Sequence, residues 1–506
     1  MLRGPRNLFR LLKIALTLAR HDAVPGLEFV DPSGVLPWIV RRVRREGLPA
    51  RPGPRLAQAL TELGPSFVKI GQALSTRADF VGEEIAADLS ELQDHLAPFP
   101  GAAARATVEA ELGRPIREIY ASFDDEAIAA ASIAQVHFAT TIEGEAVAVK
   151  VLRPGVEAQF ARDLDLFFWL AHRAERHVPA LRRLKPVEVV GKFAETVAME
   201  MDLRLEAAAA AELGGNFAGD PEFRVPRVDW TRTARRVLTM ERIEGIPVDE
   251  REALIAAGHD VQEILARAAR TFFRQVFRDG FFHGDMHPGN IFVAKDGALV
   301  AVDFGITGRI DKRTRIFLAE MLQGFLTGNY AQVASVHFRA GYVPADQSEG
   351  AFIQACRAIA EPIMGRPLNE ISLARLLAQL FEVTEAFHME TQPQLLLLQK
   401  SMLVCEGVGR KLAPEVNMWT MAEPLVTAWM IENRGPAARA REVLDLVVAR
   451  VDDLPNFFNN LERATAAIAQ GVKLNPEALA ALGGRSSTWW WMLAALVLGV
   501  VLGKVL

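Results

Sequence analysis

The sequence predicts an α+β chain of two lobes, with a helical N-terminal extension and a transmembrane helix at the C-terminus. Three observations carry that expectation: two β-hairpins separated by long stretches of helical period, a region after residue 312 that reads helical throughout, and a tail without charge. The 506 residues carry 57 Lys+Arg against 62 Asp+Glu, half are hydrophobic, 24% are charged, and mean hydropathy is positive at +0.13. Such a chain is neither disordered, collagenous nor disulfide-stapled. Its net charge of −5 lacks the excess of cations that a general nucleic-acid binder needs to neutralise phosphates, so no nucleic acid is expected. The two cysteines, Cys356 and Cys405, are far apart with no metal-type spacing, as suits a reducing compartment.

In chain order, residues 1–55 open with Arg3, Arg6, Arg10, Lys13 and Arg20 interleaved with Leu8, Phe9, Leu11, Leu12, Ile14, Leu16 and Leu18. This is a short cationic amphipathic helix suited to an anionic membrane surface, with packing against the main body as the alternative. No cleavage site follows a clean apolar core, so it is not a secretory signal, and the Ala- and Arg-rich composition of a GC-rich bacterial genome argues against a mitochondrial presequence. Residues 23–60 are broken by six prolines and read as a linker or irregular cover. From Leu56 to Leu96 the pattern is helical, interrupted at Pro65, within a helical extension over 56–120 that carries Lys69-Ile70-Gly71-Gln72 (K-x-G-Q).

Residues 121–245 contain the first hairpin, Ser132–Ala139 and Ala146–Leu152, then helical periodicity from about Val156 to Leu213, short strands, and a connector at Glu241–Pro247. Residues 246–485 hold more helices and a second hairpin, Ile291–Ala294 and Ala298–Val302, which turns on Asp296-Gly297. From Ser486 to Gly503 there is no charged residue, and eighteen residues rise about 27 Å, enough for a thin bilayer core. Trp489, Trp490 and Trp491 sit where an interfacial belt belongs. Gly499 and Gly503 would admit a second helix, as in a homodimer. With the span at 486–504, only Lys504 need cross, which leaves the body on the cytoplasmic side. The alternative is a buried C-terminal helix.

Three pieces then stand in an informative order. Lys150 lies on the apolar strand Val147-Ala148-Val149-Lys150-Val151; Asp285 and Asn290 frame the loop His283–Asn290 with four residues between them; Asp303-Phe304-Gly305 closes the second hairpin. This is the order of the protein-kinase signature set. A strand lysine is a point charge for α/β-phosphates, held by a glutamate from a neighbouring helix. Asparagine and aspartate oxygens are hard ligands for Mg²⁺ against a triphosphate, and the loop aspartate orients an attacking hydroxyl. A zinc site on His283 and His287 would lack a third ligand and leave Asp285 and Asn290 unexplained. No G-x-G-x-x-G occurs, which removes the dinucleotide fingerprint of a self-contained oxidoreductase. The residues before the first strand are alanine-rich instead, and alanine makes a stiffer phosphate loop than glycine.

Taken together, Lys69-Ile70-Gly71-Gln72 (K-x-G-Q), the alanine-rich loop Ala129-Ala130-Ala131-Ser132, Lys150, Glu200-Met201-Asp202 (E-x-D), His283–Asn290 and Asp303-Phe304-Gly305 resemble the UbiB-type atypical kinase-like family of ubiquinone biosynthesis. The resemblance spans roughly residues 60–310. It implies a protein-kinase-like fold in which the K-x-G-Q helices cover the protein-substrate side, with ATP and Mg²⁺ as cofactors. It implies that Lys150 meets the nucleotide phosphates and that Glu200 pairs with it; by composition alone, Arg204 and Glu206 in the same Glu/Ala-rich helix read as solvated surface. Asp285 would be the catalytic-loop acid, and Asn290 and Asp303 the metal ligands. Lys69 and Gln72 would project toward the active site, the alanine loop would shape ATP selectivity, and Glu241–Gly245 would be the adenine-side linker. Gly284 replaces the arginine of H-R-D and no A-P-E follows, which speaks against transfer to proteins. The implied partners are polyprenylphenol lipid intermediates and other ubiquinone biosynthesis enzymes at the bacterial inner membrane. Other readings of the family are 2-polyprenylphenol 6-hydroxylation, for which no flavin, haem or metal–oxygen site is readable, and a nucleotide-gated scaffold without turnover.

Overall fold

The computed structural model describes residues 3–23, 42–75, 82–90, 97–178, 182, 185–363, 379, 382–389, 393–416 and 418–434. The chain divides into a unit over Met1–Trp429, which holds every candidate site residue, and a second from Met430 to Leu506. Among the described residues no helix is long and apolar enough to cross a membrane. The expected span at 486–504 lies outside them.

A five-stranded antiparallel sheet forms the first lobe, in the order β1 (Tyr120–Phe123), β3 (Ala134–Thr141), β4 (Ala146–Leu152) and β6 (Val237–Glu241), with β2 (Ala129–Ala130) also paired to β3. Strand period two decides which way β4 points its side chains. Val147, Val149 and Val151 are buried with Ala104 and Val108 of a helix over Gly101–Leu112, in one cluster with Ile119 and Tyr120. Lys150 is therefore carried on the other face. The helix at 101–112, expected with the K-x-G-Q segment, belongs with this sheet.

Taking the helices in order, α1 is Arg3–Arg20, α2 Pro52–Leu63, α3 Pro65–Ser75, α4 Glu83–Ser90 and α5 the helix Gly101–Leu112. The periodicity from Val156 to Leu213 resolves into α6 (Val156–His177), α7 (Pro186–Glu200) and α8 (Leu203–Asn216). Pro186 opens α7, and Asp202 caps α8 by accepting from the Arg204 backbone N–H, so a fresh helix starts three residues after Glu200. Ile14 of α1, Leu60 and Leu63 of α2, Phe67 and Val68 of α3, Leu89 of α4 and Leu166 of α6 form one core. The expectation of a linker over 23–60 thus fails for its last part. Pro52 sits in the first helical positions, where a missing N–H costs nothing and a fixed φ helps.

In the second lobe, β9 (Ile291–Val293) and β10 (Leu299–Ala301) form the expected hairpin, flanked by β5 (Phe223–Arg224) and β7 (Ile246–Pro247). β8 (Phe281–His283) pairs with β11 (Thr307–Arg309). The helices here are α9 (Arg251–Ala256), α10 (Val261–Phe273), α11 (Lys312–Leu326), α12 (Tyr330–Ala340), α13 (Glu349–Ala360), α14 (Pro393–Leu412) and α15 (Met418–Arg434). One large core joins the lobes, running from Leu152 and Phe160 through Leu203, Ala207 and Ala210 to Phe304, Val408 and Leu412. Each fully buried Phe or Leu in it contributes roughly 2–3 kcal/mol.

Candidate active site

Lys150 Nζ lies 2.7 Å from Glu206 Oε1 and 3.1 Å from Asp303 Oδ2. Glu206 rather than Glu200 is therefore the helix glutamate that holds the strand lysine, and it is buried, not solvated surface. The reason is helical phase. Leu203, Glu206, Ala207, Ala210 and Leu213 share the buried face of α8, and the break at Met201-Asp202 separates that face from the end of α7. The stripe was readable in the sequence, but the acidic and alanine-rich composition concealed it. Glu206 also accepts a hydrogen bond from the Phe304 backbone N–H, which fastens the Asp-Phe-Gly segment to the same pair.

Burial alone would raise the Asp303 carboxyl, but the adjacent Lys150 ammonium overrides it and holds the group at about 2. For Glu206 desolvation prevails over Lys150, and its carboxyl is pushed up to about 7. Burial likewise works to lower Lys150, yet the two carboxylates carry it well above the usual lysine range. Asp303 adopts φ +60°, a conformation uncommon for a residue with a side chain, and its Oδ1 accepts from the Gly305 N–H at 3.2 Å. Phe304 anchors the segment, fully buried and edge-on to His283 with ring centroids 5.4 Å apart.

His283 is itself fully buried. Its Nδ1 accepts from the Asp285 backbone N–H at 3.1 Å, which leaves the proton on Nε2 to donate to the Val302 carbonyl at 3.3 Å. Burial lowers its pKa, so the ring stays neutral and keeps that acceptor. Asn290 Nδ2 donates to the Asp285 carbonyl at 3.1 Å and to its Oδ2 at 3.4 Å. The four residues between these two thus close on themselves as a rigid loop.

Glu200 is engaged elsewhere: its Oε2 lies 2.9 Å from Lys69 Nζ, both side chains largely buried. The resemblance's pairing of Glu200 with Lys150 is replaced by a link between the α3 helix and the end of α7. Gln72 is half-buried one turn further along α3. Ala129 and Ala130 form β2, Ala131 N–H donates to the Ala134 carbonyl at 2.8 Å, and the Arg153 guanidinium donates to the Ala131 carbonyl at 3.0 and 3.1 Å. The alanine loop is therefore bolted to the end of β4. Ser132 Oγ is buried there with no hydrogen-bond partner. Glu241 ends β6 as an exposed side chain, and the following segment runs to Gly245, where a Cβ would strike Phe292.

Sequence reasoning missed a second contribution. Lys400 of α14 places Nζ 3.0 Å from Asp285 Oδ1, and Ser401 Oγ donates to the His283 carbonyl at 3.5 Å. A Cβ on Gly284 would come within 3.0 Å of Leu397 side-chain atoms, so the missing arginine side chain is the space α14 occupies.

Among the described residues no group of three or more His, Cys, Asp or Glu stands ready to hold a metal. Mg²⁺ seldom uses such a cage. It binds through one or two protein oxygens plus phosphate and water, and the ionised Asp303 carboxylate with Asn290 is a donor set of that kind.

Residues 91–337 match the ABC1 atypical kinase-like domain, and residues 356–417 match the UbiB helical domain. A "Probable protein kinase UbiB" of Marinobacter nauticus is 43% identical over 409 residues, 80% of this chain and 75% of that protein. That of Azotobacter vinelandii is 42% identical over 475 residues, 91% and 87% of the two chains. A solved structure, the Rv3197–erythromycin complex from Mycobacterium tuberculosis, superposes with a TM-score of 0.51 at 26% identity over 78% of this chain and 98% of that one. With a lysine strand, a catalytic-type loop and an Asp-Phe-Gly segment brought to one cleft of a kinase-like α+β fold, the chain belongs to the UbiB family of atypical kinases.

Proposed function

We propose that this protein is a membrane-attached, Mg²⁺-dependent ATPase or atypical kinase of ubiquinone biosynthesis, which uses ATP to handle or present polyprenylphenol intermediates at the bacterial inner membrane. The observation that carries the reading is the Lys150–Glu206–Asp303 cluster, with a lysine held at 2.7 and 3.1 Å by two carboxylates. Lys150 would meet the nucleotide phosphates, and Asp285 would orient the attacking hydroxyl and take its proton. Asp303 and Asn290 would hold Mg²⁺, which when bound neutralises phosphate charge. The alanine loop, fixed by Arg153, would border the nucleotide, with Glu241–Gly245 on the adenine side.

Lys69, tied to Glu200, supports a cover that is part of the catalytic body and not a loose appendage. This favours a small or lipid acceptor over a protein.

Membrane attachment is supported by α1. Leu8, Phe9, Leu12 and Leu16 are exposed along one side, while Arg10 turns inward to Asp163 at 2.9 Å and Ile14 joins the core. An apolar stripe left outward on a docked helix that also carries Lys13 and Arg20 suits an anionic lipid surface.

The test is a deletion strain complemented with Asp303→Asn or Lys69→Ala protein, with quinone intermediates profiled by mass spectrometry. Loss of quinone with accumulation of a polyprenylphenol is expected for both. Full quinone levels in both would overturn the reading.

A further inference from the structure

The loop between Asp285 and Asn290 reads Met286-His287-Pro288-Gly289 and contains no lysine or arginine. His287 Nδ1 is already occupied as the acceptor for the Gly289 N–H at 3.2 Å. Lys150 is engaged by Glu206 and Asp303. Yet transfer of a phosphoryl group builds charge on its oxygens beside the loop acid, where a positioned cation accelerates the step. The helical segment after the kinase-like domain supplies one.

Three residues of α14 spaced i, i+3, i+4 meet the loop. Leu397 packs where Gly284 leaves room, Lys400 Nζ lies 3.0 Å from Asp285 Oδ1, and Ser401 Oγ reaches the His283 carbonyl. Ser401 is fully buried, so the register of α14 on the loop is set by packing and not by the ion pair. The Lys400 and Asp285 side chains are 40% and 31% exposed, so neither end of the pair is sealed inside the protein. A pair this open is worth about 0–1 kcal/mol as a stability element, which is a weak reason to hold a lysine there.

We propose that Lys400 is a catalytic residue of the phosphoryl transfer, contributed by the helical domain to a loop that has no cation of its own. The proposal rests on the ATP-dependent reading above. In the step, the acceptor oxygen of water or a phenol bonds to the γ-phosphorus and the bond to the β,γ-bridging oxygen breaks. The acceptor's proton passes to Asp285, and ADP leaves with the bridging electron pair. Lys400, next to Asp285, pairs with the oxygens of the transferred group as their charge grows.

The test uses the full chain in detergent with Lys400→Met and Lys400→Arg variants. Two readouts are taken: MgATP turnover, and affinity for MgADP with and without aluminium fluoride, which mimics the transferring group. Lys400→Met is expected to slow turnover by about 10²–10³-fold, the usual cost of one transition-state donor, and to weaken aluminium-fluoride-dependent binding by a similar factor. Its affinity for MgADP alone should stay within about threefold and its melting temperature near that of the wild type. Lys400→Arg should recover part of both losses. Unchanged turnover and fluoride-complex affinity in Lys400→Met would overturn the proposal, as would faster turnover, which would make Lys400 a restraint on Asp285. A wild-type chain that binds no nucleotide would instead overturn the functional reading itself.

Discussion

Glu206 lies 2.7 Å from Lys150, whereas Glu200, at the end of the preceding helix, lies 2.9 Å from Lys69. Two glutamates close in sequence thus serve two lysines from different parts of the molecule. One pair lies in the proposed nucleotide cleft and the other joins α3 of the helical cover to the end of α7.

The roles should separate on substitution. Glu206→Gln removes the charge that holds Lys150, so affinity for MgATP should fall at least about tenfold, or about 1.4 kcal/mol. Glu206→Ala should also destabilise the fold by about 1–3 kcal/mol, because a buried lysine loses one of its two carboxylate partners and keeps only Asp303. Glu200→Gln should leave nucleotide affinity within about threefold. Calorimetric titration with a non-hydrolysable analogue checks both, and equal losses at the two positions would contradict the division.

The cover pair is open to a double-mutant cycle. Lys69→Ala and Glu200→Ala should couple by about 1 kcal/mol in unfolding free energy, the upper end for a pair that keeps some contact with water. Amide exchange across Pro65–Ser75 should quicken in each single variant. Additive effects with unaltered exchange would show that the two side chains do not work together.

A pH dependence follows from His283. Burial holds its folded pKa below the ordinary 6.5, while the unfolded chain titrates near 6.5. Below that pH the unfolded state binds a proton that the native state refuses. Stability is therefore complete above about 6.5 and declines as pH falls toward the folded value, by at most about 1.4 kcal/mol per pH unit from this group. Denaturant titrations at pH 7.5 and 5.5 measure it. His283→Asn, less stable overall, should lose that share of the slope; an unchanged slope would assign it to other groups.

The exposed stripe of α1 can be read with a fluorophore. Phe9 and Leu12 are 73% and 66% exposed. Both native cysteines have thiols that burial pushes up to about 12, so a label placed at Leu8→Cys should react selectively. With anionic vesicles its emission should move to the blue, less so with neutral lipid, and Lys13→Glu should weaken the shift. No shift on either lipid would mean that the stripe faces water.

Much of this site was legible because its parts are local. The β3–β4 hairpin, the Asp285–Asn290 spacing and the Asp-Phe-Gly turn each involve neighbouring residues with strong pattern or turn chemistry. Glu206 is hard to read because its Glu/Ala-rich composition points to solvent while helical phase points inward: Leu203, Ala207 and Ala210 mark its face as buried. Lys400 was beyond reach for another reason. It meets Asp285 from 115 residues away, through a helix whose register depends on the space above Gly284. Pro52 misled in the opposite direction, since a proline that breaks a helix interior also starts one well.

The most direct measurement is MgATP hydrolysis by the full chain in detergent with a phenolic lipid head-group analogue, compared with Asp303→Asn. Wild-type turnover stimulated by the phenol, and reduced at least about a hundredfold in Asp303→Asn, is the predicted result. Equal rates in the two proteins would contradict it.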